Sequence, residues 1–142
     1  MPWLKLEGIN WLAVLVAAVA VFMLGGLWYT ALFGKLWQRL HGYSDAKLKE
    51  LQAKRPPQVF FGILIASYLV LAAGIAVLFN SSGIHSAPQG AAVGGLLWLG
   101  LAAPIGATAY IASDRHIGIF IIDLAYQAVF LAMAGAILGG WR

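Results

Sequence analysis

Cysteine is absent from this 142-residue sequence. That excludes disulfides, thiolate zinc sites and cysteine nucleophiles, and it leaves the redox compartment unmarked. Charge is nearly as scarce: nine Lys and Arg with five Asp and Glu make up 10% of the chain, against 62% hydrophobic residues and a mean hydropathy of +0.86. Soluble domains carry ~25% charged residues, so a soluble domain is excluded and one membrane domain covering residues 1–142 is expected. The three histidines are dispersed: His41 and His116 have no local ligand spacing, and His85 sits alone in a loop. A metal site is therefore not expected. Phosphate loops, serine-hydrolase elbows, paired acidic motifs and nucleotide fingerprints are all missing. No nucleophile–base pair is visible, so neither an enzyme nor a cofactor is expected. The net charge of +4 could suggest nucleic acid. In a chain this apolar, basic residues instead report orientation and anionic lipid contact. The expected partners are the lipid bilayer, further copies of the chain in a homo-oligomer, and a small ligand; nucleic acid is not among them.

What the sequence has in abundance is long apolar runs. Residues 11–33, WLAVLVAAVAVFMLGGLWYTALF, carry no charge. At ~1.5 Å rise per residue they reach ~34 Å as a helix, enough for a hydrocarbon core of ~30 Å. A signal peptide is the rival reading, but its apolar region is only ~7–15 residues long. The positive charges also follow this stretch, with only Lys5 before it, so it reads as an uncleaved, reversed signal anchor. Three more runs follow, giving four expected spans at about residues 10–33, 59–79, 91–112 and 117–138. The fold class is all-α: an integral membrane bundle of four transmembrane helices, with a short cytoplasmic surface helix between the first two.

Local signals refine this. Asn10 can cap the first helix. Gly25 and Gly26 allow close approach by a neighbour, and Gly62 with Ala66 makes a small-x-x-x-small pair in the second span. Tyr29, Phe33 and Trp37 fall four residues apart on one stripe, with Trp28 beside them, which reads as an interfacial belt or as the rim of a pocket. Ser44 can cap a short helix over Asp45–Lys54, ended by Pro56-Pro57. In the third span Gly90 and Gly94 share a face with Trp98, and Pro104 should free the carbonyl of Gly100 and kink the helix. A short internal echo links Gly25-Gly26-Leu27-Trp28 to Gly94-Gly95-Leu96-Leu97-Trp98.

Charge distribution sets direction. Lys35, Arg39, Lys47, Lys49, Lys54, Arg55 and Arg115 fall on one side, Lys5 and Arg142 on the other. The positive-inside rule then puts the long loop in the cytoplasm and both termini outside it.

The fourth span carries the most specific chemistry. Asp123 lies ~9 Å beyond Ile117 at helical rise. A carboxylate there is costly and should face the bundle or a water-filled cavity, with Lys35, Arg39 and Arg115 as candidate partners. On a helical wheel it clusters with His116, Phe120, Tyr126, Gln127, Phe130 and Trp141. The reverse side carries small residues, including the close-packing pair Gly135-x-x-x-Gly139. Asp123, Tyr126, Gln127, Trp28, Tyr29 and Trp98 are the candidate ligand- or proton-binding residues.

The run Ile9-Asn10-Trp11-Leu12-Ala13, then Gly26-x-Trp28-Tyr29, Phe33-Gly34-Lys35 and Trp37, resembles the signature of domain-of-unknown-function family 1761, a family of small bacterial four-helix membrane proteins. Trp98-Leu99-Gly100 with Pro104, and Tyr126-Gln127, are similar to its later pattern. Thr30-Ala31 stands where the family commonly has Ser-Pro, which removes the reason for a special kink there. The resemblance implies four spans and a bacterial inner membrane location, and supplies no catalytic residues. Two functional classes remain: a small-ligand or proton binding or transport module, which the Asp123 face and Pro104 favour, and a non-catalytic structural or accessory membrane protein.

Overall fold

The structure, a computed structural model, describes residues 2–141; Met1 and Arg142, the latter counted above among the basic residues, lie outside them. The described residues form seven α-helices: α1 Trp11–Leu27, α2 Gly34–His41, α3 Asp45–Lys54, α4 Pro57–Ser82, α5 Ala87–Leu97, α6 Ala103–Ala112 and α7 Ile117–Gly140. One π-helical turn, Trp28–Leu32, extends α1, and another, Trp98–Ala102, joins α5 to α6. Four segments are long and apolar enough to cross a membrane: Trp11–Leu32, Pro57–Ser82, Ala87–Ala112 and Ile117–Gly140. The fold is an all-α integral membrane bundle.

The helix ends follow the chemistry of their capping residues. Asn10 Oδ1 accepts from the Ala13 amide at 3.1 Å, and the Ser44 hydroxyl accepts from Lys47 at 3.1 Å. Ser86 does the same for Gln89, so the third span starts at Ala87 and not near residue 91. Each cap satisfies an amide that has no partner within the helix. Gly42 and Gly83 end α2 and α4 in the left-handed region, at φ 71° and 72°, where a side chain would be strained. The second span runs on past Phe79 to that glycine. Asn80 does not stop it, because its amide donates to the carbonyls of Lys5 and Glu7 at 2.8 Å each and ties the N-terminal lead to the end of α4.

The first span departs most from expectation. It does not run smoothly to residue 33: the π turn and Phe33 (φ −124°, ψ 7°) interrupt it, and α2 starts at Gly34 where only a polar segment was expected. The stripe of Tyr29, Phe33 and Trp37 is broken with it. The break arises although neither Thr30 nor Ala31 is a proline, and the Thr30 hydroxyl donates back to the Gly26 carbonyl.

Helix α7 is the centre of the bundle, and helices from all three other spans pack against it. Against α1 and α4 it shares a core of small and medium side chains, among them Ala13, Ala17, Val21, Ala72, Ala76, Phe79, Ala134 and Leu138. Against α5 the closest contacts are made at glycines. A methyl group at Gly90 would collide with the Gly135 carbonyl, one at Gly135 with the Gly90 carbonyl, and one at Gly139 with the Ser86 carbonyl. A methyl at Gly94 would meet the Leu131 carbonyl. The two helices therefore touch backbone to backbone. The expected pair Gly62 and Ala66 takes no part in packing: both are exposed, and nothing lies within 4 Å of a Cβ at Gly62. Small residues permit close approach; they do not require it. The third span is the least covered, with 11% of its apolar window buried, so most of its surface is left for lipid.

Gly90→Ala and Gly135→Ala should each destabilise the bundle by about 1–3 kcal/mol, because backbone cannot give way as a flexible side chain can. Gly95→Ala, where a Cβ meets nothing within 4 Å, should be neutral or stabilising by up to ~1 kcal/mol through helix propensity. Thermal unfolding in one detergent makes the comparison, and equal midpoints for all three variants would remove the close α5–α7 contact.

Candidate functional site

The cluster around Asp123 is assembled by the first π turn. In that turn the Trp28 carbonyl accepts from the amide of Phe33, five residues on, at 2.8 Å. The extra residue swings Trp28 and Tyr29 toward α7. The Trp28 indole N–H donates to the Ile122 carbonyl at 3.2 Å, and the Tyr29 hydroxyl donates to Asp123 Oδ1 at 2.6 Å. The other carboxylate oxygen lies 3.9 Å from Arg115 Nη1. Both oxygens therefore have a partner, one by a short charge-assisted hydrogen bond and one by a longer ion pair. The Asp123 and Arg115 side chains are 30% and 43% exposed, so their Coulombic attraction is partly screened and the Tyr29 bond is the tighter hold.

Tyr126, one turn on from Asp123, is buried. Its hydroxyl donates to the Val21 carbonyl at 2.8 Å. A phenol has one hydrogen to give, so the Tyr68 hydroxyl, 3.1 Å away, donates to Tyr126. Gly25 makes this reach feasible, since a Cβ there would stand 2.7 Å from the Tyr126 hydroxyl. The Tyr126 ring packs edge-on to Tyr29 and Phe130, with centroids 5.3 and 4.9 Å away. One polar and aromatic seam thus joins α1, α4 and α7.

Of the sequence-derived candidates, Trp28, Tyr29, Asp123 and Tyr126 come together in this seam. Trp98 does not join it: its indole donates to the Leu124 carbonyl at 2.9 Å. Ile122 and Leu124 differ by two residues, about 200° around a helix, so the two tryptophans hold opposite sides of α7. Gln127 is half-buried and makes no hydrogen bond among the described residues. Lys35 and Arg39 do not pair with Asp123; Arg115 does. Sequence reasoning missed two contributors. Tyr68 was visible only as a polar residue inside the second span. His41 belongs to the unexpected α2, where it lies against Trp37 and Tyr43 with centroids 4.0 and 4.9 Å away. Its Nε2 is buried without a hydrogen-bond partner. Burial, and then the Arg115 charge, hold the imidazole below its ordinary pKa, while Asp123 pulls the other way.

The described residues form at least two concavities. One lies at the far end of the bundle between Gly8, Ile9, Asn10, Ala13, Ala76, Leu138 and Trp141. Another is an open groove formed by Lys35, Gln38, Arg39, Tyr43 and Asp45. Neither is lined by Asp123. No group of three His, Asp or Glu able to hold a metal ion comes together among the described residues.

Tyr29→Phe and Asp123→Asn should be coupled. Hydrogen bonds to charged groups contribute about 1.5–3 kcal/mol, so a double-mutant cycle on thermal or denaturant stability should return a coupling on the order of 1–3 kcal/mol. Additive single effects would show that the Tyr29–Asp123 bond carries no stability.

Comparison with known proteins matches residues 12–139 to one family profile. Neither the curated proteins nor the solved structures gave a match. With nearly the whole chain covered, from the second residue of α1 to the penultimate residue of α7, the protein belongs to the family described as Protein of unknown function (DUF1761).

Proposed function

We propose that this is a non-catalytic structural or accessory membrane protein whose polar seam fastens the spans together and moves no ligand. The observation that supports it is the state of Asp123, with Tyr29 on one oxygen and Arg115 near the other. A carboxylate in this position is expensive unless paired, and here its partners come from the first span and from the turn before α7. Removing one partner of such a group is costly even where the pair adds little net stability. The second reading, a small-ligand or proton binding or transport module built on Asp123, Tyr126, Gln127, Trp28, Tyr29 and Trp98, is favoured by one observation: Gln127 stands one turn from Asp123 with an unengaged amide.

Asp123→Asn distinguishes the two. In the accessory reading the variant folds with reduced stability, and vesicles containing the unmodified protein show no pH-driven proton uptake or movement of small or lipophilic cations above that of empty vesicles. Uptake by the unmodified protein that Asp123→Asn abolishes, with the fold intact, would overturn the proposal in favour of transport.

The same reading includes an orientation. Lys35, Arg39, Lys47, Lys49, Lys54, Arg55 and Arg115 belong to the α2–α3 end, whereas the Lys5 segment is bonded to Asn80 and Ser81 at the other. The positive-inside rule puts the α2–α3 end in the cytoplasm and both termini outside it, in a bacterial inner membrane. The absence of native cysteine makes the test clean. Cysteines placed at Ser44 and Ser82 should react with an impermeant thiol reagent on intact cells only at position 82; labelling at 44 alone would reverse the orientation.

A further inference from the structure

The open groove formed by Lys35, Gln38, Arg39, Tyr43 and Asp45 is separate from the Asp123 seam and plays no part in holding the bundle. We propose that it is a binding site for the phosphate diester of an anionic phospholipid. Its position is set by the first span. The spanning segment ends at Leu32 and α2 begins at Gly34, so Lys35 leaves the apolar segment within one turn of helix, at the depth of the lipid headgroups. Lys35 and Arg39 are four residues apart on an α-helix and so share one face. Both are exposed, and neither makes an ion pair or hydrogen bond among the described residues.

Three of the five other basic residues of this end are paired, and Lys49 and Arg55 lie outside the groove. Lys47 and Lys54 both pair with Glu50, at 3.8 and 3.3 Å, and Arg115 lies by Asp123. The groove's own carboxylate is engaged as well: Asp45 Oδ1 accepts from Gln38 Nε2 at 2.9 Å. That same amide lies 3.2 Å from the Tyr43 carbonyl, so Gln38 ties α2 to the start of α3. The groove itself thus holds two unneutralised cations, one forked and one a point charge, on a wall that the membrane surface reaches. The opposite face of α2 is anchored: Leu40 packs so closely on Gly118 of α7 that a Cβ there would stand 2.7 Å from it, and the Trp37 and His41 rings lie against each other at 4.0 Å. The cations are therefore presented at a fixed height. A phosphodiester offers acceptors that match both of them, and the negative surface of an anionic leaflet adds attraction for each.

The test uses the full-length protein in nanodiscs of pure phosphatidylcholine or of phosphatidylcholine with phosphatidylglycerol, reading thermal stability and the lipids retained in native mass spectrometry. The unmodified protein should be more stable in phosphatidylglycerol and retain it preferentially. Lys35→Gln with Arg39→Gln should reduce that preference on the order of tenfold while leaving the melting point in pure phosphatidylcholine unchanged. Lys49→Gln with Arg55→Gln, which removes the same charge outside the groove, should keep most of the preference. Equal loss in both double variants, or no phosphatidylglycerol dependence in the unmodified protein, would overturn the site. Stabilisation by inorganic phosphate in phosphatidylcholine discs to the same extent as by phosphatidylglycerol would overturn the lipid as its ligand.

Discussion

Hydrocarbon offers no hydrogen-bond partner, so each polar group within the spans must find one inside the protein. This constraint accounts for most of the architecture. The hydroxyls of Thr30, Ser67 and Thr108 turn back on the carbonyls of Gly26, Ile63 and Ile105 in their own helices. Others converge on α7, the unengaged Gln127 amide apart: the Trp28 and Trp98 indole N–H groups on its carbonyls, the Tyr29 hydroxyl on its carboxylate, and its own Tyr126 on the backbone of α1. Lipid tails are as apolar as leucine and give no hydrophobic drive to associate. Directional bonds and close packing must therefore specify which helices meet, and α7 supplies both.

The two kinds of contact divide the surface of α7. Toward α5 it presents glycine, and the backbones meet without intervening side chains. Toward α1 and α4 it presents Tyr126, Phe130 and Leu138 in an interdigitated core. Gly25 connects these two modes, since it is a glycine on α1 whose missing side chain admits a tyrosine from α7. The consequence is a strongly specified position for the Tyr126 hydroxyl, and through ring contact a specified position for Tyr29, which meets Asp123. The ionised group is held by geometry established at the glycine contact one helix away.

Much of this was legible in sequence. Apolar length set the four spans, and Asn10 and Ser44 declared their caps. Gly135-x-x-x-Gly139 with Gly90 and Gly94 announced a close crossing, because small residues at four-residue spacing have one principal use there. Gly62 with Ala66 carried the same pattern and packs on nothing, which shows that spacing reveals capacity while the partner decides its use. The seam was half legible. A carboxylate inside a span had to find partners, and Arg115 was close in sequence, but Tyr29 lies 94 residues away and its approach depends on a π turn. Hydrophobic periodicity cannot register one extra residue in a turn, so α2, its His41 and the broken aromatic stripe were hidden with it.

The internal echo between spans one and three acquires a physical basis in those turns. Each π turn begins at a tryptophan whose carbonyl accepts from the amide five residues on, Phe33 in one case and Ala103 in the other. Each tryptophan also donates its indole hydrogen to α7. Six residues beyond each tryptophan the backbone has a special requirement, met in two ways. At Gly34 a Cβ would stand 2.7 Å from the Tyr29 carbonyl, so the side chain is absent. At Pro104 the amide hydrogen is absent, so the distorted turn has one donor fewer to satisfy. The proline-driven kink expected around Gly100 thus appears as a π turn that starts at Trp98. Thr30-Ala31 keeps the matching distortion without a proline. Two spans running in the same direction carry the same device at the same offset, and it turns two tryptophans onto opposite sides of one central helix.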